Sequence, residues 1–128
     1  MLSLNNTVRS LTVVLAGAVT TNQLDCTAQY RDDRHAKITM SFGATVVATN
    51  NTTAVTLVGA PTTGVIREVF TITIYNKDTA AATVSVSYLD SATSYLIAKF
   101  TLAVGDTALY TDEHGWTVFN SSGDRKSV

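Results

Sequence analysis

The sequence predicts an all-β protein, an antiparallel β-sandwich of jelly-roll or Ig-like arrangement with an extended N-terminal arm. Three observations predict it. Between Val65 and Asn120, four alternating runs (Val65–Tyr75, Thr83–Leu89, Tyr95–Val104 and Ala108–Phe119) are separated by Asn-Lys-Asp, Asp-Ser-Ala-Thr and Gly-Asp. Period-2 runs at even spacing with turn residues between them argue for an antiparallel meander. No segment shows helical periodicity, since Ala80-Ala81-Ala82 is short and follows a turn. Composition agrees: charged residues are 15% against a usual ~25%, and Thr, Ser, Ala and Asn replace them. Threonine suits a half-buried pleated surface, because its branched Cβ stiffens χ1 and its hydroxyl keeps the outer face wet.

From the N-terminus, Arg9 precedes the apolar run Leu11–Val19, with Ala16-Gly17-Ala18 at its end. The charged region is thin and the run short for a secretory leader, so the segment reads as an ordered strand. Thr20–Gln23 is a polar break. Leu24, Cys26, Ala28 and Tyr30 then alternate with Asp25, Thr27, Gln29 and Arg31, the signature of a half-buried strand. The densest charge cluster, Arg31-Asp32-Asp33-Arg34-His35, separates it from Lys37–Gly43, where Ile38, Met40 and Phe42 share a face. Thr45–Thr49 and Ala54–Val58 flank Asn50–Thr53, which reads as a four-residue hairpin loop.

In the meander the inward faces are expected to be Ile66, Phe70, Ile72 and Ile74, then Val84, Val86 and Tyr88, then Leu96, Ala98, Phe100 and Leu102. Arg67 and Glu68 fall on opposite faces, so at least one needs a partner or an edge position. Near the C-terminus Asp112–Gly115 makes a turn, with Gly115 where positive φ is wanted, and Trp116 is placed to cap the core. Eight or nine strands favour two sheets packed face to face. The 128 residues suit one domain: an N-terminal arm and strands over 1–36 and the sandwich over 37–128, expected to form a single unit.

Net charge is −1, which offers no handle for a phosphate backbone and argues against nucleic acid as a partner. No run of about 20 apolar residues provides a membrane helix. The single cysteine, Cys26, cannot form an internal disulfide and reads as a small buried hydrophobe. Asn-X-Ser/Thr triplets begin at Asn5, Asn50, Asn51 and Asn120 and read as by-products of composition.

Catalytic chemistry finds little purchase. His35 and His114 each sit beside acidic residues in expected turns with one nitrogen donor, whereas a metal site needs three or four converging ligands. No Gly-x-Ser-x-Gly elbow marks a nucleophile, and the carboxylates of Asp112 and Glu113 are neighbours in a turn rather than a facing pair. No cofactor, metal or catalytic residue is expected.

Thr71–Thr79 (TITIYNKDT), Ala82–Tyr88, Leu102–Asp106, Tyr110-Thr111-Asp112 and Gly115-Trp116, with Thr20–Tyr30 and Asn50–Leu57 upstream, give the chain a resemblance to small β-rich bacteriophage virion proteins of the capsid decoration (cement) or head-fibre type. The resemblance covers most of the chain and rests on strand and turn patterns rather than a catalytic fingerprint. It implies a structural protein at the phage head surface, made in the bacterial host cytoplasm, with the major capsid protein and copies of itself as partners, a trimer being the assembly it suggests. A 128-residue chain opening on its own Met1 is expected to stand as a self-contained particle component. The expected contact residues are Leu24, Tyr30, Arg31, Asp32, Asp33, Arg34 and His35, with Met1–Val19 as an anchoring arm. The alternative is a tail or fibre adhesin, or another carbohydrate-binding sandwich, with Tyr95, Tyr110 and Trp116 as its sugar platform.

Overall fold

The computed structural model describes residues 2–34 and 39–126. Ten strands follow in order: β1 (Leu2–Leu4), β2 (Arg9–Leu15), β3 (Asp25–Arg34), β4 (Thr39–Ala48), β5 (Val55–Val58), β6 (Val65–Tyr75), β7 (Ala82–Asp90), β8 (Thr93–Leu102), β9 (Thr107–Thr111) and β10 (Gly115–Phe119). They form two antiparallel sheets. One runs β10-β9-β6-β3-β4, with β1 also paired to β6, and the other runs β5-β2-β7-β8. The fold is the β-sandwich that the alternating runs predict.

The core lies between the sheets. Leu11, Val13, Val84, Val86 and Leu102 enter it from the four-stranded sheet, Cys26, Ala28, Val69, Ile72 and Ile74 from the six-stranded sheet, and Leu24 from the residue before β3. Each fully buried aliphatic side chain contributes about 1.5–3 kcal/mol relative to exposure, so this layer dominates the stability of a chain with few charges.

The alternating runs do not remain in one sheet. The hairpins β7–β8 and β9–β10 form as expected, but β6 pairs with β3 and β9 in the six-stranded sheet while β7 and β8 lie in the other. A single-sheet meander would leave its apolar face without a partner. Crossing between sheets lets the run supply both sides of the core. Asn50–Thr53 likewise makes a turn, with Thr53 N–H donating to Asn50 O at 2.9 Å, but joins β4 to β5 in the opposite sheet rather than closing a hairpin.

The N-terminal segment is woven into both sheets. β1 pairs with β6, and β2 lies between β5 and β7 with Leu11, Val13 and Leu15 buried. Residues 2–15 therefore form part of the sandwich rather than an arm projecting from it. The line at 36/37 crosses the connection between β3 and β4, which pair over ten residues on each strand.

Two bulges reset the expected faces. On β6, Thr71 pairs with Gln29 and Val69 with Tyr30, leaving Phe70 unmatched. Val65 and Val69 are buried in place of Ile66 and Phe70. On β8, Ala98 pairs with Val86 and Leu96 with Ser87, leaving Ile97 unmatched, and Leu96 is exposed rather than inward. An extra residue shifts the alternation by one beyond the bulge.

One end of the sandwich is tied by buried polar side chains. Asn76 donates to Leu102 O at 2.9 Å and to Ala80 O at 3.0 Å. Asp78 accepts the backbone N–H groups of Thr20, Thr21 and Asn22 at 2.9, 2.7 and 3.0 Å. The polar break after β2 is thus a fastened loop, and the Asn76-Lys77-Asp78 turn is structural.

Candidate interaction surface

The charge cluster expected as a break between strands is itself strand as far as Arg34. Arg31–Arg34 belongs to β3, with Arg31 opposite Glu68 and Asp32 opposite Arg67 on β6. Successive side chains point to opposite sheet faces, so these two pairs form on opposite sides of one sheet. Arg67 Nε and Nη2 reach the Asp32 carboxylate at 2.8 and 3.0 Å, and Nη1 donates to Gly59 O at 2.9 Å. Its guanidinium carbon stands 4.2 Å from the centre of the Tyr30 ring. The hydrogen bonds to Asp32 raise the Arg67 pKa, outweighing its burial. On the outer side, Arg31 Nη2 binds Glu68 and Arg31 Nε lies 3.6 Å from Asp33. The partners that Arg67 and Glu68 require are the cluster itself.

This placement corrects part of the expected contact set. Leu24 is fully buried in the core and cannot touch a partner. Asp32 is held inside by Arg67, and Tyr30 packs over Gly43 of the neighbouring strand. Arg31 and Asp33 remain half-exposed and Arg34 exposed. His35 lies outside the described residues.

The sugar platform does not assemble. Tyr110 is buried and stacks against Trp116 at 5.4 Å between ring centres, while Trp116 meets Phe100 of the opposite sheet at 5.2 Å. Trp116 closes one side of the core. Tyr95 is exposed on β8, five residues from Phe100 and so roughly 16 Å along the strand. His114 is exposed in the β9–β10 turn beside Glu113. Among the described residues, no three His, Cys, Asp or Glu side chains come together as metal ligands, and no helix is long and apolar enough to cross a membrane.

The surface that stands out is the outer face of the six-stranded sheet along β4. Met40, Phe42 and Val46 are 55%, 71% and 78% exposed, with Ala44 and Ala48 exposed between and beyond them. Phe42 meets Phe70 edge-on, ring centres 6.4 Å apart. The β6 bulge is what turns Phe70 to this side. Arg31, Glu68 and Asp112 join the two rings around a shallow depression of about 230 Å³. An apolar stripe with a charged margin is the composition of a protein contact surface.

The face pattern of Met40 and Phe42 was legible in the sequence, but its exposure was not. The available signal is that β4, TMSFGATVVA, carries no charged residue in ten positions, although it ends its sheet. Edge strands ordinarily carry Lys or other charged residues, or a Pro, that block pairing.

Comparison with protein-family models, curated proteins and solved structures finds no match to this chain.

Proposed function

We propose that the chain is a non-enzymatic structural protein of a phage virion, a capsid decoration (cement) protein that binds and stabilises the head shell at its outer surface. The observation that carries this reading is the uncharged, exposed stripe of Met40, Phe42 and Val46 on the outer face of the six-stranded sheet. On a strand the backbone is already fixed, so these apolar side chains lose only rotamer freedom on docking and gain by leaving water. The resemblance of the strand and turn segments to small β-rich virion proteins supplies the kind of partner, a major capsid protein. The anchoring role expected of Met1–Val19 passes to this face, because β1 and β2 are integral to the two sheets.

Co-sedimentation with undecorated phage heads tests the reading. Saturable binding at a fixed number of copies per shell is the expected result. Failure of the folded protein to adsorb would remove the cement role. Deleting residues 1–21 is unsuited to this experiment, since it would remove β2 from between β5 and β7.

A further inference from the structure

From the geometry of β4 we infer that two copies of this chain join edge to edge, β4 against β4, antiparallel about a two-fold axis at Ala44. The inference goes beyond the proposed function, sets a two-fold pair in place of the trimer that the resemblance implies, and stands or falls separately from shell binding.

The free edge follows from the ladder. Thr49 N–H donates to Leu24 O at 3.0 Å, and the β3–β4 register runs unbroken from Asp25↔Ala48 to Arg34↔Thr39. In an antiparallel ladder, alternate residues address one neighbour. Odd-numbered β4 residues therefore bond to β3, and Met40, Phe42, Ala44, Val46 and Ala48 turn their N–H and C=O groups to the outside. No strand among the described residues pairs with that edge.

Those five residues fit a second copy of themselves. Centred on Ala44, the antiparallel register sets Phe42 against Val46, Met40 against Ala48, and Ala44 against itself. Large side chains meet smaller ones, and an aromatic meets a β-branched residue, a favourable cross-strand pair. Five outward residues exchanging two bonds each give about ten hydrogen bonds, the number a typical protein interface carries. The seam contains no charge. The nearest like-charged residues in register, Asp33 beside Met40 and the partner copy's Asp25 beside Ala48, lie three strand spacings apart, roughly 14 Å. That exceeds the ~8–10 Å screening length at ordinary ionic strength. A two-fold seam closes on itself and leaves no free β4 edge for further growth. It joins two six-stranded sheets and places both apolar stripes on one continuous outer face.

Light scattering across a micromolar concentration series, without shells, reads the oligomer. The wild type is expected to pass from monomer to dimer. Ala44→Pro removes an outward N–H while sparing the bonds to β3, and is expected to remain monomeric. Cysteine cross-linking fixes the register independently of that variant's folding. Hydrogen-bonded partners sit about 5.5 Å apart at Cα, within disulfide range. Ala44→Cys alone should cross-link under mild oxidation, whereas Phe42→Cys and Val46→Cys should do so only when mixed. Buried Cys26 should contribute no background. A wild type that stays monomeric or forms a trimer would overturn the inference, as would Phe42→Cys alone cross-linking as readily as Ala44→Cys. Shell binding, read separately with the wild type, keeps the two proposals distinguishable.

Discussion

Tyr30 occupies the space in which Gly43 lacks a side chain: a Cβ on Gly43 would stand 2.5 Å from Tyr30 Cζ. The two are directly opposed on β3 and β4. A glycine weakens a strand because it brings no side chain to pack and loses more freedom on folding. The ring restores the missing contact, and β4 continues through Gly43-Ala44 without interruption.

Gly43→Ala should therefore destabilise the protein by about 1–3 kcal/mol, the usual cost of an overpacked site, despite alanine's better fit to strand geometry. In a Tyr30→Ala background the same substitution should be neutral or stabilising. Denaturant midpoints for the four proteins of this double-mutant cycle check the coupling.

Removing one partner from each ion pair should separate the two faces of β3. Asp32→Ala leaves the Arg67 guanidinium largely desolvated, since that pair is 16% and 19% exposed, and should cost about 2–3 kcal/mol, below the ~3–5 of a fully buried pair. Glu68→Ala opens the more exposed pair with Arg31 and should cost about 1 kcal/mol or less. Chemical denaturation of each variant measures both.

Acid should loosen the Asp78 tie. The backbone N–H groups of Thr20 and Asn22 are the main causes of a carboxyl pKa held at about 2, against an ordinary 3.8, and they outweigh burial. The folded state thus binds this proton less readily than the unfolded chain, so the contribution of Asp78 is complete above about pH 4 and fades as pH falls towards 2. Asp78→Asn should melt at a lower temperature than the wild type at pH 7, and the gap should narrow between pH 4 and pH 2. Melting curves across that window decide it.

Cys26 should react only through unfolding. Burial, with a smaller effect from Asp25, pushes its thiol up to about 12, so almost no thiolate exists at pH 8 and no solvent reaches the sulfur. Labelling by an aromatic disulfide reagent should be slow in buffer and should accelerate in step with unfolding as denaturant is added.

The sequence showed most where alternation was uninterrupted. Leu24, Cys26 and Ala28 are buried as the β3 pattern predicts, and Gly115 takes φ 67° in the β9–β10 turn. Alternation failed at Phe70 and Ile97, because a bulge depends on what the neighbouring strand places opposite. It also ended the strand at Arg31 and read Asp32–Arg34 as part of a turn, where β3 runs on to Arg34. Charge density argues for solvent until Arg67 and Glu68, more than thirty residues away, are known to lie across the ladder. The β4 stripe escaped for the same reason: apolar alternation shows that residues share a face and leaves open whether a second layer covers it.

The most direct measurement is the binding isotherm of the wild type and Phe70→Lys on undecorated phage heads. Phe70 lies on the apolar face two strands in from the β4 edge, with its ring against Phe42, so the substitution alters the shell contact and leaves every outward backbone group of β4 in place. Saturable, stoichiometric binding by the wild type, weakened at least ~10-fold (about 1.4 kcal/mol) in an equally stable Phe70→Lys, is the predicted result. A folded wild type that leaves the heads bare would contradict the account.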